Sequence, residues 1–473
     1  MTAGGGPRAW FSDSGLSGAL TIAVAMLSSY AFAFAVYLAI LGDEIGFVAA
    51  VVKLPTSFLV LHLAMAVALA GIVAVNFTVR VRRTAARPII VALLWCPFVA
   101  VGLGVFEFPL TMLICVPSTA FGLWAVHRMQ RFRRIPVRLL LAVFGWGALV
   151  ATGFAAPVVH LFRVTVQAIL VQIEGLGITA ERTVEIRHEV AVATMIFAGV
   201  WEELAKAAGV AVVLLLLRRQ VDGLVTGLVL GAACGLGVNF VETVAYMTAD
   251  SGGAAHQYFM RQSIGLLAAH TAFAALAGAG IGAARQLTAG RARVITGGLV
   301  AAAGGHMASN VLFSWYGQNK QEWFDPSPLV DALVLQPVTL ILLQGPFVVA
   351  YLVLLHKGLG GQAGGLGRQL AAEARAGTGT VAPVEVPMLL SPARRLWLKV
   401  VLLRRHGLAA WRNTSRLHAA QLALATARWH LARLEADPLA EGLDGLRERV
   451  RSLKRRQAAI VGAARPRPVR VAS

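Results

Sequence analysis

The sequence contains few charged residues. Of its 473 residues, 14% are Asp, Glu, Lys or Arg and 57% are hydrophobic, and the mean hydropathy is +0.70. A soluble globular domain carries about 25% charged residues. This composition therefore excludes an ordinary soluble domain and predicts a chain that crosses a membrane several times.

Cysteine is also scarce. The three cysteines, Cys96, Cys115 and Cys234, stand in separate apolar stretches and form no close pair. This spacing excludes a disulfide framework and a thiolate zinc site. We expect the three residues to be small buried side chains.

Long apolar runs, in contrast, recur along most of the chain. Runs of about 20 apolar residues predict transmembrane helices. About ten are expected, at 15–41, 55–79, 88–106, 109–127, 137–162, 190–217, 223–247, 263–285, 294–316 and 333–356. The predicted fold is all-α: a polytopic transmembrane helix bundle with a cytoplasmic helical C-terminal extension.

Positive charge is distributed unevenly among the predicted loops. Lys and Arg are frequent in alternate loops, beginning with the one at 80–87, and sparse in the loops between them. By the positive-inside rule, this bias predicts a multi-pass protein of the cytoplasmic membrane with both termini in the cytoplasm. A long outer loop is then expected at about 163–189.

The C-terminal part is strongly basic. From Pro387 to the end, 18 Lys and Arg residues stand against 5 Asp and Glu residues, in a chain of net charge +20. A basic segment beside a membrane attracts anionic lipid headgroups; a protein partner is the alternative, and nucleic acid binding is not expected. The predicted regions are an N-terminal transmembrane region with the outer loop (1–189), a transmembrane core (190–358), a flexible Gly/Ala-rich linker (359–387) and a basic helical tail (388–473).

Ionisable residues are concentrated in four late spans, whereas the first five spans carry almost none. The stretch "WEELAK" is the first group. Glu202 and Lys206 are four residues apart and share a helix face, which predicts an ion pair. Glu203 points about 100° away and is predicted to remain free for chemistry. An ionisable side chain at the bilayer centre costs about 2.5–3.5 kcal/mol, so all these groups must face the bundle interior.

The next span combines a polar face with a run of glycines. Glu242 shares a helix face with Asn239 and Tyr246. Upstream, glycines recur every four residues, at Gly223, Gly227, Gly231 and Gly235. This small-xxx-small stripe predicts close helix packing rather than a nucleotide-binding loop.

The last two groups are histidines in the spans that follow. His270 stands alone in its span, and His306 lies one turn before Asn310. Carboxylate and imidazole groups can hold Zn²⁺ and leave a position for water. Alternatively, a glutamate can deprotonate water directly, with a histidine assisting and Asn310 stabilising the oxyanion. A third interpretation is a non-catalytic scaffold or transporter, in which the network only fixes packing or conducts ions.

The order of these motifs resembles the PrsW family of membrane proteases, which is related to the CAAX prenyl protease/Abi superfamily. The motifs of that family are EExxK, FxxxE and HxxxD, and the similarity covers about 190–315. The matching residues are Glu202, Glu203 and Lys206 in the first motif, Glu242 in the second and His306 in the third. His270 stands where family members carry a further histidine. Val238 replaces the expected Phe, and Asn310 replaces the expected Asp, as in CAAX proteases.

The resemblance implies an integral-membrane peptidase that cuts membrane-anchored proteins, such as anti-sigma-factor-like single-span proteins. It implies that Glu203 or Glu202 activates water. Its implied metal ligands, for Zn²⁺, are Glu242, His270 and His306, with proton transfer as their alternative role. The candidate catalytic residues are Glu202, Glu203, Lys206, Glu242, His270, His306 and Asn310.

Overall fold

The computed structural model describes residues 13–78, 83–175, 179–249, 253–432 and 442–463, and these contain helices but no strand. The helices are α1 (Asp13–Ile45), α2 (Phe47–Val52), α3 (Thr56–Thr78), α4 (Arg83–Gly102), α5 (Pro109–Arg128), α6 (Val137–Gly145), α7 (Thr152–Glu174), α8 (Ala180–Leu216), α9 (Leu224–Ala249), α10 (Ala254–Tyr258), α11 (Ala269–Ala284), α12 (Arg291–Phe324), α13 (Pro328–Val330), α14 (Gln336–Arg375), α15 (Glu385–Leu390), α16 (Pro392–Leu431) and α17 (Leu443–Ala463). Short π-helical turns follow α6, α10 and α13, at Trp146–Ala151, Phe259–Ile264 and Asp331–Leu335. The predicted all-α fold is confirmed.

Eight helical stretches in the described part of the chain are long and apolar enough to cross a membrane. They are Asp13–Ile45, Thr56–Val75, Ala86–Glu107, Pro109–Arg128, Val137–Glu174, Leu224–Ala249, Ala254–Ala284 and Pro328–Arg375. The other two predicted spans, 190–217 and 294–316, lie in α8 and α12, which have 37 and 34 residues. These two helices are long enough, but they carry the clustered ionisable and polar residues, which lower their hydropathy. The protein is a polytopic membrane protein, as predicted.

The predicted outer loop at 163–189 is mostly helical. Helix α7 continues to Glu174, and α8 begins at Ala180. Arg182 joins the two helix ends, because its guanidinium lies 2.7 Å from Glu174, 3.0 Å from Glu185 and 2.8 Å from Glu189. The expected outer loop is therefore made mainly of the ends of two helices.

The chain forms two compact units. The first contains the residues up to Met129 together with Ile135–Leu355, and the second contains Gln130–Arg134 together with the residues from His356 onward. In the first unit, α1 packs its buried Tyr30 and Tyr37 into an aromatic core with Phe98 and Phe154. Of the cysteines, Cys115 and Cys234 are buried as predicted, whereas Cys96 is exposed on α4.

The glycine stripe of α9 lies directly against α11. At Gly227, Gly231 and Gly235, an added Cβ atom would lie 2.1 Å from a backbone carbonyl oxygen of α11, and at Gly235 that oxygen belongs to His270. Only glycine permits backbones this close. The predicted packing role of the stripe is confirmed, and the stripe also fixes the distance of His270 from α9.

The second unit differs from the predicted linker and tail. Helix α14 continues through the glycine-rich stretch to Arg375, and its Leu366 and Leu370 are buried against Leu389 and Leu422. A helical glycine costs about 1 kcal/mol relative to alanine, and burial of these leucines offsets that cost. The segment 359–387 is thus largely helical and packed.

Helices α16 and α17 complete the second unit. Helix α16 is broken at Gly407, whose φ of 75° is left-handed. Helix α17 also lies in the predicted basic helical tail, and residues 433–441 between α16 and α17 lie outside the described residues. Glu373 of α14 is 1% exposed, and its carboxylate lies 2.6 Å from Arg428 and 2.8 Å from Arg447. This buried carboxylate joins three helices.

Replacing Gly231 with alanine tests the close packing of α9 on α11. The added methyl group would overlap a backbone carbonyl, so we expect Gly231→Ala to lower the free energy of unfolding by about 1–3 kcal/mol. The matched control is Gly297→Ala on α12, where an added Cβ meets no atom within 4 Å. Thermal unfolding in detergent measures both, and equal midpoints for the two variants would contradict the packing argument.

Candidate active site

Side chains from four helices meet inside the first unit. The contributing residues are Glu202, Glu203 and Lys206 from α8, Glu242 from α9, His270 from the first turn of α11 and His306 from α12. These are six of the seven residues that the sequence singled out. The backbones of α8 and α12 lie close together, which brings their side chains into contact. An added Cβ at Gly199 would lie 2.9 Å from the backbone nitrogen of Met307.

Lys206 is at the centre of the cluster. Its side chain is 1% exposed, and its ammonium nitrogen lies 2.6 Å from Glu203 Oε1, 3.6 Å from Glu202 Oε2 and 2.9 Å from His270 Nδ1. The predicted ion pair between Glu202 and Lys206 is therefore present, but Glu203, which was predicted to remain free, is the closer carboxylate. Spacings of three and four residues both place partners on one helix face. Helix α12 explains why Glu203 is the closer partner, because His306 Nδ1 on that helix lies 3.1 Å from the same Glu203 oxygen.

Each histidine has a carboxylate on one ring nitrogen. His270 Nε2 lies 2.8 Å from Glu242 Oε2, and His306 Nδ1 lies 3.1 Å from Glu203 Oε1. An ionised carboxylate only accepts, so each of these nitrogens donates its hydrogen and the opposite nitrogen keeps a lone pair. Metal-binding histidines usually have this arrangement, with an outer carboxylate that fixes the tautomer.

Glu202 faces both of those lone pairs. Its Oε2 atom is buried, has no hydrogen-bond partner, and lies 3.9 Å from His270 Nδ1 and 3.9 Å from His306 Nε2. One ligand atom from each of Glu202, His270 and His306 lies within 4.8 Å of the others. The donor set, two imidazole nitrogens and one carboxylate oxygen, is one that Zn²⁺ prefers. A cation here would satisfy the buried Glu202 oxygen and replace the Lys206 hydrogen bond at His270.

Glu242 connects the cluster to a cation at its rim. Its Oε2 accepts from His270 and also from Arg261, whose Nη1 lies 3.1 Å away. The Arg261 guanidinium stacks on Tyr246, 3.9 Å from the ring centroid, and its carbonyl accepts from the Asn239 side chain at 3.3 Å. The three polar residues that share a face of α9 thus all contact Arg261.

Two hydrogen bonds of the Gln344 side chain fix the start of α11. Gln344 of α14 accepts from the backbone nitrogen of Ala269 at 3.1 Å and donates to Ser309 at 3.3 Å. Ala269 has a φ of 36°, a left-handed value that is strained for alanine. These contacts hold His270 at the helix start. Asn310, beside Ser309, is half-buried, and its side chain forms no hydrogen bond with the described residues, so the structure does not place it in the cluster.

Residues 135–343 match a family model described as PrsW family intramembrane metalloprotease. This region belongs to the PrsW family. It extends from two residues before α6 into α14 and contains every residue of the cluster. The resemblance seen in the motifs is confirmed, and the PrsW region is wider than 190–315 because it includes α6 and α7. The comparisons with curated proteins and with solved structures find no match.

Three residues that support the cluster belong to none of the sequence motifs: Arg261, Ser309 and Gln344. Arg261 stands between the spans predicted at 223–247 and 263–285, and Gln344 lies one residue beyond the matched region. The polar face of α9 was a usable signal for Arg261, because a buried carboxylate on that face needs a cation. Nothing local marked Gln344, since its partner is a backbone nitrogen on another helix.

The adjacent carboxylates of the PrsW motif should respond differently to the same substitution. Glu203→Gln removes the charge that neutralises buried Lys206, and breaking such a pair costs roughly 3–5 kcal/mol. Glu202→Gln removes only the more distant ion-pair contact of Lys206, at 3.6 Å, and its Oε2 has no hydrogen-bond partner, so we expect a much smaller loss of stability in metal-free protein. Unfolding midpoints of the two variants in detergent, with chelator present, decide the matter. A larger loss for Glu202→Gln would overturn the assigned pairing.

Proposed function

We propose that this protein is an integral-membrane peptidase that hydrolyses peptide bonds of membrane-anchored proteins at the Glu/His cluster. The observation that carries the proposal is the buried oxygen of Glu202, which has no hydrogen-bond partner and lies 3.9 Å from a ring nitrogen of His270 and from one of His306. Three electron-pair donors within 4.8 Å of one another favour a cation, and the PrsW family is described as metalloproteases. The substrate class extends to single-span proteins of the anti-sigma-factor type.

Glu202, His270 and His306 would hold Zn²⁺, which when bound supplies Lewis acidity toward water and the substrate carbonyl. Glu203 and Glu242 then act as the outer carboxylates that orient the two imidazole rings. This ligand set differs from the one expected from the sequence, because Glu202 takes the place of Glu242.

Glu242 is the group we assign to proton transfer. Its Oε2 is held by His270 and Arg261, whereas Oε1 has no hydrogen-bond partner among the described residues. Glu242 and Glu202 also line a common cavity. A carboxylate held at one oxygen and open at the other can take the proton of the attacking water and return it to the leaving amine.

Lys206 stabilises negative charge in the same cavity. Its ammonium holds Glu203 and lies at the cavity wall, where the substrate carbonyl oxygen becomes negative during attack. A fixed positive charge in a site of low dielectric constant stabilises such an oxyanion. This assignment replaces the role expected for Asn310.

Three glutamine variants test the assignment. In purified protein given a labelled single-span peptide library, we expect Glu202→Gln to abolish both hydrolysis and Zn²⁺ retention. Glu242→Gln at saturating Zn²⁺ should keep the metal and lose about 10²–10⁴-fold in kcat, the usual contribution of a general base. The control is Glu322→Gln, an exposed position on α12, which should match the parent in both readouts.

The outcomes separate the competing interpretations. Hydrolysis by Glu202→Gln at the parental rate would refute the proposed site. Glu202-dependent hydrolysis that resists chelators would refute the Zn²⁺ assignment and make Glu202 the direct base. A parent that binds no metal and cuts no peptide would favour the scaffold or transporter.

We also propose that the protein lies in the cytoplasmic membrane with both termini in the cytoplasm. The basis is the distribution of Lys and Arg among the short loops. Single cysteines at the two ends of the chain should react with impermeant maleimide only after the cells are opened, and reaction in intact cells would contradict this orientation.

A further inference from the structure

A cavity of about 210 Å³ opens beside the Glu/His cluster, between α7 and α9. At its base lie Glu202, Lys206 and Glu242. At its edges lie Ala156 of α7 and Ala245 of α9, and both alanines are exposed on the outer surface of the first unit. We call this space the α7–α9 groove. It connects the lipid-facing surface of the helices with the ionisable groups inside.

The groove exists because α7 departs from α9 after the π-helical turn. At Gly147, inside that turn, an added Cβ would lie 2.0 Å from the carbonyl oxygen of Cys234 on α9, so the backbones touch there. Trp146 fixes the same turn to α8 through a 3.0 Å hydrogen bond to the Ala205 carbonyl. From Ala151 onward the space between α7 and α9 is open. A rigid contact at one end thus sets the width of the groove.

The lining of the groove favours a segment with small side chains. The wall on the α7 side is formed by Ala151, Thr152, Ala155 and Ala156, with Val159 further along. A peptide group inside an α-helix is engaged in the hydrogen bonds of the helix and surrounded by side chains, so a helical segment must unwind locally to present a bond at the base of the groove. The Thr152 hydroxyl donates to the Gly147 carbonyl at 3.0 Å, so its oxygen can still accept from an unwound backbone, which cannot leave N–H groups unpaired within a membrane.

We propose that the α7–α9 groove is the substrate-binding cleft, and that it admits a locally unwound, small-residue segment of a membrane-anchored protein laterally from the bilayer. This inference rests on the proposed peptidase function. It adds a specificity: residues next to the cut bond are small, such as Gly, Ala or Ser. It also assigns α7, which bears none of the catalytic groups, as the specificity-determining helix.

A photo-crosslinking experiment tests the groove without relying on hydrolysis. Benzoylphenylalanine is placed at position 156 or 245 in the Glu242→Gln background, and a labelled single-span peptide with an Ala/Gly-rich centre is added. We expect label at both positions and none at position 70, an exposed alanine on α3 that serves as the matched control. A Leu-rich version of the peptide should compete poorly.

The kinetic counterpart uses the otherwise unmodified protein. Ala156→Phe should reduce kcat/KM by roughly 100-fold, the effect of displacing a substrate from its productive position, with Zn²⁺ content unchanged. Ala70→Phe should have no effect. Parental hydrolysis by Ala156→Phe, with no label at 156 or 245, would refute the groove and leave the peptidase intact. Label at both positions with no hydrolysis by the parent would refute the peptidase and leave the groove as a binding site.

An independent surface lies on the second unit, on the first half of α16. Leu396, Trp397 and Leu403 are 57%, 68% and 39% exposed. Arg404 and Arg405, which follow Leu403 directly, are exposed as well. The break at Gly407 separates this half from the second half, which packs into the unit. Apolar and basic residues combined on one exposed helix are typical of segments that lie in a membrane interface.

We propose that Pro392–His406 binds the surface of an anionic bilayer, with Leu396 and Trp397 among the acyl chains and the arginines at the headgroups. The positive charge argues for lipid over an apolar protein surface, since basic residues beside an anionic leaflet are attracted to its headgroups.

Spin labels on the full-length protein test this surface. Exposed Cys96 is first replaced by alanine. Labels are then attached to Ala393→Cys, an exposed position one turn before Leu396 and Trp397, and to Ala459→Cys, an exposed control on α17. In nanodiscs of about 2:1 phosphatidylcholine and phosphatidylglycerol, we expect position 393 to become accessible to oxygen and protected from a water-soluble nickel reagent. Pure phosphatidylcholine, or about 1 M salt, should weaken the effect. Equal accessibility of positions 393 and 459 in all conditions, or protection of 393 regardless of lipid charge, would overturn the proposal.

Discussion

The buried contact between Lys206 and Glu203 is the interaction on which the remainder of the site depends. An isolated charge in this environment is costly, and each partner removes that cost for the other. Glu203 also accepts from His306, and Lys206 also donates to His270. One ion pair within α8 therefore sets the positions of a histidine on α11 and a histidine on α12. The reactive geometry is a consequence of neutralising this pair.

Such a network requires helix backbones that lie unusually close together. The two histidines contact the ion pair at hydrogen-bond distance, and they do so from two separate helices. Glycines at the contacts meet this requirement: Gly235 touches the carbonyl of His270, and Gly199 lies against the residue after His306. Where the glycine contact ends, at the π-helical turn before α7, a groove begins. Close packing and open space thus alternate along the same helices, and the ionisable groups lie at the boundary.

Sequence patterns predicted much of this, and the limits have physical causes. Apolar runs and motif order predicted the helical bundle and the six clustered residues, because hydropathy and helical periodicity are local properties. The sequence predicted the ion pair of Lys206 with Glu202 but not the shorter one with Glu203, because spacings of three and four residues are equivalent on an isolated helix and the contact of Glu203 with His306 is tertiary. The glycine-rich start of 359–387 suggested a linker, but buried Leu366 and Leu370 make it helical. Arg261 and Gln344 act through tertiary contacts that no local pattern encodes.

The adjacency of Glu202 and Glu203 follows from the two requirements on α8. Glu202 and Glu203 stand four and three residues before Lys206, so both lie within reach of its ammonium. Because neighbouring residues on a helix point about 100° apart, the two carboxylates approach Lys206 from different sides, at 3.6 Å and 2.6 Å. Glu203 is held by Lys206 and His306, whereas Glu202 Oε2 has no hydrogen-bond partner and lies 3.9 Å from His270 and from His306. A cation between the two histidines would satisfy that oxygen.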